Sequence, residues 1–293
     1  MVQAAYVYPN LQDLRRDLPS RWSEAELLGC SCLAVPAGFV QSPVVKRKYG
    51  EFLTGSSLET LYGKGEAACT DIRCIFQTDS GCDPSLLRWN DPAWVHRYVR
   101  MLAEIADCIG TWPDRIEIIP GKWTITDREL AGAMVQIRKE WHEMSGKKPD
   151  VLIENMPLSS LHSGVSLGRF WNELTSRFPA HVPGCGIALD VSGIFAAAKK
   201  HRVSPIASLY AVPPEAVRGF HIHQAHHAVD PGENYGFWRE LRTIFREVKD
   251  PVYVVPEVFS RDDLVQTLGF CREHLFGEIT PAVPGYQRAA PRQ

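Results

Sequence analysis

The chain has 293 residues, 45% hydrophobic and 23% charged, a balance that allows about 75% of the unfolded surface to be buried without disulfides or a structural metal. Its net charge of −2 at pH 7 and the lack of any Lys/Arg block provide no strong field for polyanions, which makes nucleic acid a secondary expectation. No apolar run approaches the roughly 20 residues needed to cross a bilayer, which argues against a membrane role.

Periodicity alternates between strand and helix along the whole chain. The first strand is read at residues 4–7 and the second at 31–35, with Ser23 and Glu26 between them forming a capping box that would open a helix. The third strand is placed at 72–76. Asp91 followed by Pro92 has the form of an N-cap and first helical residue, starting a helix to about Ile109 with Val95, Val99, Leu102 and Ala106 on one face. Strand four is 115–119. Thr126 and Glu129 make a second capping box, for a helix that ends at Ser145 and Gly146. Strands five to eight are predicted at 151–154, 187–190, 219–223 and 252–255, with helices near 167–178, 194–200, 235–248 and 262–275. Eight strands, each followed by a helix or a long connection, predict one (β/α)8 TIM barrel over residues 1–293, with its active site at the C-terminal rim of the strands. Two stretches break the alternation: a long segment at 36–56, read as a rim loop or a plain insertion, and an irregular Pro-, Ala- and Arg-rich tail at 277–293.

Four of the predicted strands end on a residue able to hold a metal: Glu154 in VLIEN, Asp190 in GIALD, His223 in GFHIH and Glu257 in VYVVPE. Their spacing of about 30 to 40 residues suits repeated β/α units that deliver ligands to one rim. Three carboxylates brought within about 5 Å would repel by roughly 3 kcal/mol per pair at an effective dielectric of 20, so the cluster calls for a cation or raised pKa values. Three carboxylates and an imidazole suit one divalent ion of Mn, Mg, Co, Fe or Zn. The plainer alternative is that each acid caps the helix that follows it.

Further candidates surround this set. His221 shares a strand face with His223 and lies deeper, where it would orient a neighbour or fill the barrel. His226 and His227 belong to the following loop, as substrate contacts or surface residues, and Asp230 either faces the site or starts a turn. Gln77, Lys122, Trp123 and Trp238 are expected near the rim as substrate-binding side chains. Arg115 and Glu117 should point into the barrel, with a buried Arg73–Glu117 pair possible. No Walker loop, Gly-x-Gly-x-x-Gly or Gly-x-Ser-x-Gly occurs, so no nucleotide cofactor is indicated. The eight cysteines are scattered without a C-x-x-C pair, and no secretory signal is seen before them, which predicts a reduced, cytoplasmic protein. A homodimer is a base-rate expectation.

The stretches IPG at 119–121, IENMP at 153–157, ALDVSGIFAAA at 188–198, HIH at 221–223, DPGENYG at 230–236 and PEV at 256–258 resemble, in order and strand placement, the xylose-isomerase-like TIM-barrel superfamily. That superfamily includes sugar isomerases and epimerases, dehydratases and apurinic endonucleases. By this resemblance Glu154, Asp190, His223 and Glu257 match the set that holds one metal in the isomerase and epimerase members. Departures stand beside the match. The endonuclease branch has histidines where this chain has Ile119, Gly193 and Gly232, which speaks against a trinuclear site and abasic-site cleavage. Sugar epimerases commonly bind substrate with the histidine that Gly193 replaces. The implied chemistry is proton transfer on a small sugar-like or carbonyl substrate, with Glu154 and Glu257 as acid and base, by an isomerase, epimerase or enolate-forming lyase. Two alternatives stay open: a phosphodiesterase or oxidative enzyme of specialised metabolism with a second metal at His226, His227 or Asp230, and a barrel that only binds a ligand.

Overall fold

The computed structural model describes residues 4–9, 18–36, 58–59, 62, 73–78, 86–121, 124–230, 232–248 and 252–277. Eight parallel strands close into one barrel in sequence order: β1 (Ala4–Tyr8), β2 (Cys32–Pro36), β3 (Cys74–Gln77), β4 (Arg115–Ile118), β5 (Asp150–Glu154), β6 (Cys185–Asp190), β7 (Val217–His221) and β8 (Val252–Val255). The ring is completed by β1 against β8, with Ala4, Ala5 and Tyr6 opposite Val252, Tyr253 and Val254. Around it run α1 (Leu18–Leu27), α2 (Pro92–Ile109), α3 (Asp127–Ser145), α4 (Gly164–Arg177), α5 (Val191–His201), α6 (Pro205–Tyr210), α7 (Tyr235–Phe245) and α8 (Arg261–Phe270). This is the predicted TIM barrel. Among the described residues no helix is long and apolar enough to cross a membrane. The segment 37–56, Lys122, Trp123 and the tail after Gly277 lie outside the described residues.

Local signals place several helix ends. The Asp91 side chain accepts from the backbone N–H groups of Ala93 and Trp94, and Pro92 takes the first turn where its missing N–H costs nothing. Val95, Val99, Leu102 and Ala106 form the fully buried face of α2. Asp91→Ala is therefore expected to lower stability by about 1 kcal/mol, measured as a lower urea midpoint at unchanged slope. The Thr126–Glu129 capping box is formed in both directions, and Gly146 closes α3 with a φ of 71°.

Other ends differ from the local reading. Ser23 and Glu26 do not open a helix but lie inside α1, which begins at Leu18. Pro19 stands in its first turn, where proline's preset φ favours initiation, so the later Ser-x-x-Glu pattern falls mid-helix. Strand β7 ends at His221, which leaves His223 on the loop beyond it. The last helix changes from α to π winding at Cys271–Phe276 and stops at Gly277. The short helix α6, capped by Ser204, was not anticipated.

Alternation along the strands sorts side chains into two layers. Tyr8, Leu33, Phe76, Ile116, Ile118, Ile153, Leu189 and Phe220 belong to the large core shared with the helices. Val7, Cys32, Ala34, Ile75, Tyr253 and Val255 form a separate, smaller cluster inside the barrel. That inner cluster comes from β1, β2, β3 and β8. The same inward positions on β4 to β7 carry Arg115, Glu117, Glu154, Asp190 and His221 beside the apolar Leu152 and Ala188, so the buried charges of the barrel interior gather on one half.

At the base of the charged half Arg115 is buried with its guanidinium 3.7 Å above the Tyr253 ring centroid, and its Nη1 donates to the Arg218 carbonyl at 3.1 Å. It stands 3.8 Å from both Glu117 and Asp150. Gly219 leaves it room, since a Cβ there would lie 3.1 Å from Nη1. The Arg73–Glu117 pair that the sequence allowed is not formed. Arg73 precedes β3 at the half-exposed N-terminal mouth, donating to Asp114 at 2.8 Å and to the Tyr253 hydroxyl at 3.1 Å, and Arg115 takes the buried place beside Glu117.

Among the described residues Cys30, Cys32, Cys74, Cys108, Cys185 and Cys271 are free thiols. Burial pushes Cys30, Cys32 and Cys185 up to about 12, which leaves them unreactive packing residues.

Candidate functional site at the C-terminal rim

Glu154 is the last residue of β5, Asp190 the last of β6, and Glu257 follows β8 by two residues. None of the three acts as a helix cap. Helix α4 is capped by Ser163 and α8 by Ser260, while Asp190, at the N-cap position of α5, makes no side-chain capping bond. Their carboxylates are directed instead at two histidines.

His221, at the end of β7, has no exposed surface. Its Nε2 lies 3.0 Å from Glu117 Oε2, and its Nδ1 lies 3.4 Å from Glu154 Oε1 and 3.3 Å from Glu257 Oε2. His223 is two residues further along, with Nε2 3.1 Å from Asp190 Oδ1 and 3.6 Å from Glu257 Oε2. The Nδ1 of His223 accepts the backbone N–H of His226 at 2.9 Å. Glu257 thus joins both groups: Glu154, His221 and Glu257 have donor atoms within 4.8 Å of one another, and so do His223, His226 and Glu257.

His226 reaches this position through a strained turn. Gln224 and His227 exchange backbone hydrogen bonds at 3.0 Å around Ala225 and His226, whose φ angles are 50° and 62°. Two central residues at positive φ make a type I′ turn, usually built from Asn and Gly. The turn stacks the His226 ring between His223 and Phe259, with centroids 4.5 and 4.6 Å away, and sets its Nδ1 3.2 Å from the Glu257 carbonyl.

The electrostatics follow from burial. Desolvation pushes the Glu154 carboxyl up to about 7 despite the His221 ring beside it. Burial acts the same way on Glu257, but the His221 hydrogen bond and charge, with His223 and His226, hold it down at about 2. Burial disfavours a charged His221, yet Glu154, Glu117 and Glu257 outweigh that and keep the ring well above the ordinary imidazole range. Two carboxylate oxygens remain unsatisfied: Glu154 Oε2 and, deeper in the barrel, Glu117 Oε1 are buried with no hydrogen-bond partner, at a cost of about 1–3 kcal/mol each.

Asn155 was not singled out by sequence, although it directly follows the strand-end Glu154. Its Nδ2 donates to the Asp190 carbonyl at 2.9 Å and its Oδ1 accepts the Asp190 N–H at 2.8 Å, clamping β5 to β6 where the ladder ends. Gly193 packs on the same clamp. A Cβ there would stand 2.7 Å from both Asn155 Nδ2 and Asp190 Oδ2, so a histidine at this position does not fit the present arrangement. Gly193→Ala is expected to destabilise the fold by about 1–3 kcal/mol through overpacking, measured by chemical denaturation against a Gly132→Ala control, mid-helix in α3 with nothing within 4 Å of the added Cβ, which should instead gain about 0.5–1 kcal/mol.

The remaining candidates divide by position. Gln77 ends β3, buried and opposite Glu117 in the ladder. His227 is not brought to the cluster: it is exposed and faces Asp263 at 3.5 Å on the first turn of α8. Asp230 serves the turn, with Oδ1 accepting the Gly232 N–H at 2.8 Å. Trp238 is buried among Phe195, Phe237 and Phe270 in the helix layer and donates its Nε1–H to the Glu233 carbonyl at 2.9 Å, because it lies on the inner face of α7 and not on the rim.

Comparison with solved structures finds the same architecture over nearly the whole chain. The IolI protein with a bound zinc atom is 13% identical, with a TM-score of 0.53 over 92% of this chain and 97% of that one. A sugar phosphate isomerase/epimerase from Parabacteroides distasonis is 10% identical, with a TM-score of 0.53 over 92% and 93%. A xylose isomerase-like TIM barrel protein from Mycobacterium smegmatis, in complex with magnesium, is 11% identical, with a TM-score of 0.51 over 92% and 94%. The chain shares the TIM-barrel fold of these structures. No protein-family model and no curated protein sequence matches it. At these identities the likeness speaks for the fold alone, and the chemistry of this barrel has to be argued from its own side chains.

Those side chains fit a divalent cation. Four carboxylates, Glu117, Glu154, Asp190 and Glu257, converge on the charged half of the barrel, and Glu154 Oε2 lacks a donor. The spacings of 3.3 and 3.4 Å from His221 Nδ1 to Glu257 and Glu154 fall in the range of about 3.0–3.4 Å expected between neighbouring donors around an ion with bonds of about 2.1 Å.

Proposed function

We propose that this protein is a divalent-metal-dependent enzyme that moves a proton at a carbon beside a carbonyl or hydroxyl group of a small sugar-like or keto substrate, as an isomerase, epimerase or dehydratase. The observation that carries this reading is the buried, unpartnered Glu154 Oε2 in a cluster with Glu257 and His221 at the C-terminal rim, the end of the barrel where such enzymes work. Glu154, Asp190, His223 and Glu257 are the proposed ligands, for Mn, Mg, Co, Fe or Zn. A bound ion would supply Lewis-acid polarisation of substrate oxygens.

The chain's own residues supply the rest. Glu154, which ends β5, and Glu257, two residues past β8, come from different sides of the rim and are the proposed acid and base. Glu154 Oε2, which has no hydrogen-bond partner, is the oxygen open to a proton. Asn155 holds Asp190 in register, and the apolar half of the barrel closes the floor under the site.

The test is elemental analysis of protein purified without chelator, followed by a screen of aldoses, ketoses and keto acids with the metal found. About one divalent ion per chain and turnover in the screen are expected. Absence of bound metal even after supplementation would sink the reading. A second reading, a phosphodiesterase or oxidative enzyme with two ions, is favoured by the second donor group, His223, His226 and the shared Glu257, and two ions per chain would support it.

A further inference from the structure

The proposed metal ligands come from β5, β6, β8 and the segment after β7, and none comes from β3 or β4. That side of the rim carries two polar side chains without full partners. Gln77 and Glu117 are opposite one another in the β3–β4 ladder, so in strands about 4.8 Å apart their side chains stand next to each other on the inner face. Glu117 belongs to a buried column between the Arg115 guanidinium and His221. Its Oε2 lies 3.0 Å from His221 Nε2, while Oε1 is 3.8 Å from Arg115 Nη1, too far for a hydrogen bond, and is left without a donor. Gln77 is 7% exposed, and its amide has no hydrogen-bond partner among the described residues.

Two neighbouring buried groups that both lack a partner are costly unless a ligand completes them, and their chemistry restricts what that ligand offers. A carboxylate only accepts, whereas the Gln77 amide has both N–H donors and a carbonyl acceptor. A hydroxyl satisfies both residues, donating to Glu117 Oε1 and accepting from Gln77 Nε2. A ketone oxygen or a second carboxylate has no hydrogen for Glu117, and an ammonium has no lone pair for the amide N–H.

We propose that Gln77 and Glu117 form a hydroxyl-binding subsite on the β3–β4 side of the rim, and that the substrate is a polyhydroxylated, sugar-like compound rather than a keto acid. This rests on the reading of the rim as a metal-dependent active site and narrows its substrate. In the closed ring β3 and β4 lie opposite β7 and β8, so a row of hydroxyl groups anchored near Glu257 runs toward this pair. Sequence position brought Gln77 to the rim, and the ladder supplies its neighbour and with it the kind of group bound.

The test uses Gln77→Met, which keeps the length of the side chain and deletes the amide. Xylitol, D-xylulose and D-fructose are titrated calorimetrically into metal-supplemented protein beside 2-oxobutyrate. At least one hydroxylated probe is expected to bind wild type more tightly than 2-oxobutyrate does, and Gln77→Met is expected to weaken it about 10–100-fold. The urea midpoint of the variant is expected to equal or exceed that of wild type, because an amide without a partner costs free energy to bury and a thioether does not. Its metal content should match wild type, since no proposed ligand is touched. Hydroxylated-probe affinity within twofold of wild type would overturn the proposal, as would a wild type that prefers 2-oxobutyrate or binds none of the four probes. A lowered urea midpoint or a variant that does not fold would overturn it too, by showing that the amide serves the fold. Wild type that holds no metal even after supplementation removes the metal reading, whereas metal-loaded wild type whose polyol affinity ignores Gln77→Met removes the subsite alone.

Discussion

Glu257→Gln is expected to lose divalent metal binding by at least about 100-fold, and with it the turnover of whichever polyhydroxylated or keto substrate the wild type accepts. The size of the effect follows from position. Glu257 belongs to both donor groups, lying 3.3 Å from His221 Nδ1 and 3.6 Å from His223 Nε2, so neither group is complete without it. Replacing a carboxylate by an amide removes a charge and leaves one weaker oxygen donor, a larger loss than the 10–100-fold typical of groups that only support a ligand. Removal of a general base would lower turnover by a further 10²–10⁴-fold. Elemental analysis and calorimetric titration of the variant check the first effect, and turnover at saturating metal checks the second. Metal content equal to wild type would remove Glu257 from the proposed site.

Arg115→Met is expected to destabilise the fold by about 3–5 kcal/mol, the usual result of breaking a buried ion pair from one side. Arg115 side-chain exposure is 2% and Glu117 exposure 1%, so water cannot replace the lost partner. Methionine fills part of the volume over Tyr253 but cannot donate to the Arg218 carbonyl, and it leaves Glu117 with the His221 ring alone as its cationic partner. The double variant Arg115→Met with Glu117→Gln should recover most of the loss, because the stranded charge is then gone. Urea denaturation of the two single variants and the double variant measures the coupling. A single-variant loss below about 1 kcal/mol would mean that Arg115 is not the counter-charge of this column.

These two residues also mark where local pattern stops being informative. The caps at Asp91 and Thr126 were legible because a cap is made by neighbours two or three positions away. The strand ends at Glu154 and Asp190 were legible because an apolar run stopped there on a carboxylate, and the inward direction of Arg115 and Glu117 followed from the two-residue period. Ser23 and Glu26 show the weakness of the same reasoning, since a Ser-x-x-Glu pattern also occurs inside a helix already started at Leu18. Trp238 was misplaced because its position near a loop said nothing of which face of α7 it would take.

Sequence alone determined the eight-strand alternation and the barrel it implies, which rest on periodicity, and it nominated the rim residues Glu154, Asp190, His223 and Glu257 from their places at or just past the ends of predicted strands. Only the closed barrel decided which groups meet. Glu117 and His221, Arg115 and Tyr253, and Asn155 and Asp190 are distant in the chain, and their pairing depends on strand register, side-chain depth and the space left by Gly219 and Gly193. Hydrogen bonds and ion pairs act over a few ångströms, so residue spacing can nominate the partners but only the register of the strands brings them within reach.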